Sequence, residues 1–87
     1  MTELRLNADA VSWREVDGEV IALDLAGSMY FATNASGALL WKSLAAGTSR
    51  EELVALLVEG FELAEETARA DVDAFLDSLV AQGLLAA

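Results

Sequence analysis

Cysteine, histidine and proline are all missing from this chain of 87 residues, and only 5 side chains are basic against 15 acidic. Without cysteine or histidine there is no thiolate nucleophile, no imidazole base and no zinc site of the usual nitrogen–sulfur type. Without cysteine no disulfide can form, so an oxidising compartment is not needed. The formal net charge of −10 repels the phosphates of DNA or RNA and an anionic membrane surface alike. No apolar run approaches the roughly 20 residues that span a bilayer. The mixed start Met1-Thr-Glu-Leu-Arg-Leu-Asn7 lacks the basic, then apolar, pattern of a signal peptide. These absences lead us to expect a cytoplasmic domain with no nucleic acid, membrane, metal or cofactor.

What is present is apolar. Hydrophobic residues make up 55% of the chain, enough for one modest core in a protein that buries roughly 60–65% of its unfolded surface. The length allows one domain, 1–87, and not two.

Residues 11–33 read as strands. Val11, Trp13, Ile21, Leu23, Leu25, Met29 and Phe31 fall on odd positions, which is period-two spacing. Asp17-Gly18 marks a hairpin. A two-residue loop there would pair Trp13 with Ala22 and Val11 with Asp24. A three-residue loop, Val16-Asp17-Gly18, would pair Trp13 with Ile21 and Val11 with Leu23. The second keeps the odd apolar residues on one face and is the register expected. Ala26-Gly27-Ser28 supplies the next turn and pairs Leu25 with Met29 and Leu23 with Phe31 by the same logic. A three-stranded meander follows. Its oily face is odd-numbered, and Ser12, Arg14, Val20, Ala22, Asp24, Tyr30 and Ala32 lie on the other.

From Asn34 the period changes. Asn34 is a good N-cap for a helix with Leu40, Trp41 and Leu44 inward and Gly47 at its end. Ser49-Arg50-Glu51-Glu52 is a capping box opening a second helix with Leu53, Leu56 and Leu57 on one face. A third helix spans about 64–82, with the stripe Ala68, Val72, Phe75, Leu76 and Leu79, and Gly83 stops it. The order βββααα predicts an α+β fold, and three helices beside a small meander also describe a winged-helix-like module.

Little here could carry chemistry. From Glu51 to Asp77 there are nine acids and one base, Arg69. A solvated helix face explains them better than paired catalytic carboxylates or a calcium loop. The single glycines form no phosphate cradle; Gly37, inside a helix, suggests close packing on the sheet. Trp13 and Trp41 sit on apolar stripes and read as core. Tyr30 and Phe31 lie on an edge strand with neither proline nor lysine to guard it; either helices cover it, a dimer pairs it, or it accepts a peptide strand. Val80 lies about 80° from the centre of the third helix's stripe and widens it on one flank, at ~100° per residue.

The ordered pieces Val11-Ser-Trp-Arg-Glu-Val16, Leu23-Asp-Leu25 through Gly27 to Tyr30-Phe31, Asn34-x-Ser-Gly37 leading to Leu40-Trp41, and Asp71-Val72-x-x-Phe75-Leu76-x-x-Leu79-x-x-x-Gly83-Leu84 resemble the PqqD-like proteins. These are the prototype of the elements that recognise precursors of ribosomally made, modified peptides. The similarity runs from about Leu4 to Leu85. Ala8 and Ala35 stand where that family often has proline.

The resemblance implies a winged-helix-like fold that binds no nucleic acid. It implies a non-catalytic adaptor that takes the leader of a precursor peptide as an extra antiparallel strand and presents it to a separate enzyme. The platform would be Met29, Tyr30, Phe31, Ala32 and Thr33. The opposite wall would be Arg69, Val72, Asp73, Leu76, Asp77 and Val80 on the third helix. On that placement Val80→Glu weakens leader binding; if it does not, the groove lies on the other flank, near Asp71, Ser78 and Gln82, or is not on this helix at all. A stand-alone element of this size looks most like the leader-binding half of a split lasso-peptide maturation protease, with a transglutaminase-like cysteine protease as partner. A peptide chaperone for a radical SAM enzyme in pyrroloquinoline quinone synthesis is the alternative. A winged-helix DNA-binding regulator is disfavoured by Asp71, Asp73 and Asp77 on the third helix, where a reader needs Arg or Lys.

Overall fold

A computed structural model describes residues 3–25 and 29–86. Three strands, β1 (Val11–Val16), β2 (Glu19–Asp24) and β3 (Met29–Ala32), precede three helices, α1 (Ala35–Ala46), α2 (Arg50–Phe61) and α3 (Glu65–Ala81). The strands are antiparallel in the order β1-β2-β3. Helix α1 packs on β2, and α2 packs on both α1 and α3. The class is α+β, with the helices covering one face of a small sheet.

The hairpin takes the register that the apolar pattern argues against. Val11 faces Asp24 and Trp13 faces Ala22, so the loop is the two residues Asp17 and Gly18. Both adopt left-handed backbone, with φ of 52° and 81°. That is the type I′ arrangement whose twist matches the flanking strands. An aspartate tolerates it, so no bulge is needed. One residue of register exchanges the faces of β2. Val20, Ala22 and Asp24 are therefore buried, while Ile21 and Leu25 are 36% and 50% exposed. On β3 the expected pairs are likewise replaced: Leu23 faces Tyr30 and Ala22 faces Phe31. The expected turn at Ala26-Gly27-Ser28, and the expected orientation of the Met29 and Phe31 side chains, lie outside the described residues.

The helices begin and end on identifiable chemistry. The Asn34 side chain accepts from Gly37 N at 2.9 Å and caps α1, and Gly47 ends it at φ 99°. The Ser49 hydroxyl accepts from Glu52 N at 3.2 Å and caps α2, which runs through Gly60 and stops at Glu62, φ 54°. Trp41, Leu44, Leu53, Leu57, Val72 and Leu84 are fully buried between these elements. The termini close the far side. Leu4 exchanges backbone bonds with Thr48 (2.6 and 2.9 Å), Asn7 N donates to Leu84 O (2.7 Å), and Ala86 N donates to Arg5 O (2.8 Å).

Gly37 sits where α1 leaves the sheet. A Cβ there would lie 2.9 Å from Thr33 Cβ and 3.3 Å from Asn34 Oδ1. Thr33 cannot yield easily, because its hydroxyl accepts from Val20 N at 3.2 Å and its own N–H donates to Val20 O at 2.9 Å. Gly37→Ala gains about 1 kcal/mol of helix propensity, but overpacking of this kind costs ~1–3 kcal/mol. A net loss near 1 kcal/mol is expected in urea denaturation. A more stable variant would show that Thr33 moves freely.

Candidate functional site

Helix α3 meets its surroundings differently on its two flanks. One flank faces the start of α2 through ion pairs. Arg50 Nε and Nη2 donate to the Asp73 carboxylate at 2.7 and 2.9 Å. Arg69 donates to Glu51 at 3.1 Å and to Glu65 at 2.9 Å. The hydrogen bonds from Arg50 and Arg69 hold the Asp73 and Glu51 carboxyls below the usual carboxylate range and raise both guanidinium groups. These groups are exposed, so solvent screens them. A depressed carboxylate contributes stability above its unfolded pKa and loses it as pH falls through the folded one. The stability gap between wild type and Asp73→Asn should therefore be present at neutral pH and vanish as pH falls below the carboxylate range. Thermal melts of both proteins across pH would show it. A gap that persists at pH values where Asp73 is protonated would mean that the Arg50–Asp73 charge pair is not its source.

The other flank borders an open cleft beside the end of β3. The cleft holds about 360 Å³ and is lined by Ala32, Thr33, Asn34 and Gly37 on one side and by Phe75, Ser78, Leu79 and Gln82 on the other. A second hollow, lined among others by Ser36, Asp71 and Ala74, shares Asn34, Gly37, Phe75 and Ser78 with it, so the groove continues between α1 and α3. β3 is the outer strand of the sheet, and its Tyr30 side chain is 75% exposed.

The platform expected at Met29–Thr33 thus borders the groove through Ala32 and Thr33. The helical wall expected from the resemblance does not. None of Arg69, Val72, Asp73, Leu76, Asp77 and Val80 lines the cleft. Val72 is core, Leu76 is half-buried against the core, and Arg69 and Asp73 are engaged by α2. Asp77 is exposed, and Val80, at 63% exposure, lies on the α2-facing flank. The α3 side of the cleft is formed by Phe75, Ser78, Leu79 and Gln82. Phe75 and Leu79 were legible as stripe residues; Ser78 and Gln82 carry no apolar signal and were legible only as the alternative flank of α3.

Among the described residues no three acidic side chains gather as a metal group, and no helix is long and apolar enough to cross a membrane. The fold is thus a small α+β module in which an open strand edge borders a cleft of mixed polar and apolar lining. The chain belongs to the PqqD family: the family model described as coenzyme PQQ synthesis protein D matches residues 19–85. In structure it is similar to TbiB1 in complex with the TbiA(beta) leader peptide, with 31% identity over 93% of each chain and a TM-score of 0.85. It is similar also to a lasso peptide synthetase B1 complexed with the leader peptide, with 26% identity over 99% of this chain and 100% of that one and a TM-score of 0.84. No curated protein matches the chain.

Proposed function

We propose that this chain is a non-catalytic, winged-helix-like adaptor. It binds the leader of a ribosomally made precursor, of the lasso-peptide kind, as a strand added to β3 and presents it to a separate maturation protease in the cytoplasm. The observation that carries this reading is the open edge of β3 beside the cleft, in a chain that matches leader-bound proteins over nearly its full length. The residues that would hold the leader are Met29–Thr33 on the strand and Phe75, Ser78, Leu79 and Gln82 on α3. A chaperone for a radical SAM enzyme in pyrroloquinoline quinone synthesis is the second reading, favoured by the description of the matching family. The kind of enzyme gene beside a short precursor gene separates the two.

The test uses fluorescent leader and fluorescent core peptide titrated separately against the isolated protein. A strand-addition site reads a short extended segment, so the leader alone should bind at micromolar to nanomolar Kd, about −8 to −12 kcal/mol. The peptide mass should stay unchanged throughout. Equal binding of the core, or cleavage without a second protein, would overturn the adaptor reading.

A further inference from the structure

The register of the sheet decides which backbone groups of β3 remain free. Val20 accepts at its carbonyl from Thr33 N at 2.9 Å and donates its N–H to Thr33 Oγ1 at 3.2 Å. Both of its backbone groups therefore turn toward the β3 side. Along an antiparallel ladder, opposed residues alternate between pairs that exchange both hydrogen bonds and pairs that exchange none. Ile21 faces Ala32, Ala22 faces Phe31, Leu23 faces Tyr30 and Asp24 faces Met29. Counting on from Val20, Ala22 and Asp24 bond to Phe31 and Met29, whereas Ile21 and Leu23 turn toward β1. Tyr30 and Ala32 are left with N–H and C=O groups on the open edge. The β1 side gives the same parity independently. A two-residue hairpin closes on a bonded pair, here Val16 and Glu19, which makes Arg14–Ile21 and Ser12–Leu23 the next bonded pairs.

We propose that a peptide on β3 is held in one register by the backbone of Tyr30 and Ala32, and that its selectivity comes from one apolar side chain delivered to the cleft beside Thr33. This rests on the peptide-binding reading above and names the chemical class of segment that the site takes. In an antiparallel strand, the peptide residue facing Ala32 and the residue two further on, facing Tyr30, each supply an N–H and a C=O. Neither position tolerates proline or N-methylation. Their side chains share the outer face with Tyr30. The residue just before, facing Thr33, projects to the opposite face. There it meets the mouth of the cleft, where Thr33, Gly37, Phe75 and Leu79 leave room for a branched or aromatic side chain. The residue facing Phe31 turns its own N–H away from β3 and is free to be proline. The segment is thus an apolar residue, an amide-bearing residue, a residue whose N–H is not required and a second amide-bearing residue, in that order.

Amide hydrogen exchange, read by NMR on the isotope-labelled full chain with and without the synthetic leader used in the titration, tests this. In the free protein the amides of Tyr30 and Ala32 should exchange at least about 10-fold faster than that of Phe31. With leader bound they should slow by ~10-fold or more, while Trp13 and Glu15 on the other edge stay unchanged. N-methylating the leader one residue at a time should cost about 10-fold or more at two alternate positions and far less at the one between them. Slow Tyr30 and Ala32 amides with a fast Phe31 amide in the free protein would overturn the register whatever the peptide does. A leader that binds but protects the β1 edge, or shows no alternation, would overturn the proposal and leave the adaptor reading standing. A leader that does not bind at all would remove both.

Discussion

Replacing Trp41 by alanine should cost about 3–5 kcal/mol of folding stability. Trp41 is the largest fully buried side chain of the core. Its ring is met edge-on by Trp13, with centroids 6.1 Å apart and planes at 72°. Truncation leaves a cavity where α1 packs on the sheet and removes an aromatic pair worth about 0.5–1.5 kcal/mol beyond its buried area. A domain's whole stability is only about 5–15 kcal/mol, so much of the margin would go. Urea denaturation followed by far-ultraviolet circular dichroism reads the loss without relying on tryptophan fluorescence. A cost below ~1 kcal/mol, the range of surface changes, would mean that α1 does not seat on the sheet through this residue.

The second large effect separates the two flanks of α3. Ser78→Glu and Val80→Glu change the net charge equally, at exposed positions two residues apart on one helix. Long-range electrostatics are therefore matched. Ser78 lines the cleft and Val80 does not. A glutamate at 78 puts a carboxylate where the leader's apolar side chain should rest, and it must be desolvated or displaced for binding. Leader affinity should fall by about 10–100-fold, the scale of ~1.4–2.7 kcal/mol for an ill-placed polar group. Val80→Glu should stay within about 2-fold, as a surface change away from the site. Both variants should keep the wild-type circular dichroism spectrum. The opposite result in the leader titration would place the wall on the Arg69–Val80 flank.

Helices were the more legible half of this fold. Asn34, Ser49 and Gly47 carry cap chemistry that acts within a few residues, so the helix boundaries follow from local sequence. The sheet was harder, because Ile21 and Leu25 are exposed and Leu23 only half-buried, although all three are more apolar as a set than the buried Val20, Ala22 and Asp24. What decided the register was the ability of Asp17 to join Gly18 in the left-handed region, not the apolar count. Once Ala22 lies on the covered face, Trp41 supplies the bulk that the strand itself lacks, while Trp13, read as core from its stripe, stays 37% exposed and meets the Trp41 ring from the edge. At the candidate site, the unprotected β3 edge could be read from Tyr30 and its neighbours. The flank of α3 could not, because the buried stripe Ala68, Val72 and Leu79 fixes which side of the helix meets the core, but not which border of that stripe lies beside the end of β3.

The most direct measurement is a map of backbone chemical-shift changes in the isotope-labelled protein as unlabelled leader is added. A leader seated on the β3 edge and in the adjoining cleft should move Tyr30–Asn34, Gly37, Phe75, Ser78, Leu79 and Gln82 together, at one affinity. Asp73, Asp77 and Val80 should stay near their free positions. The largest changes at Asp73, Asp77 and Val80, with β3 unmoved, would contradict the site.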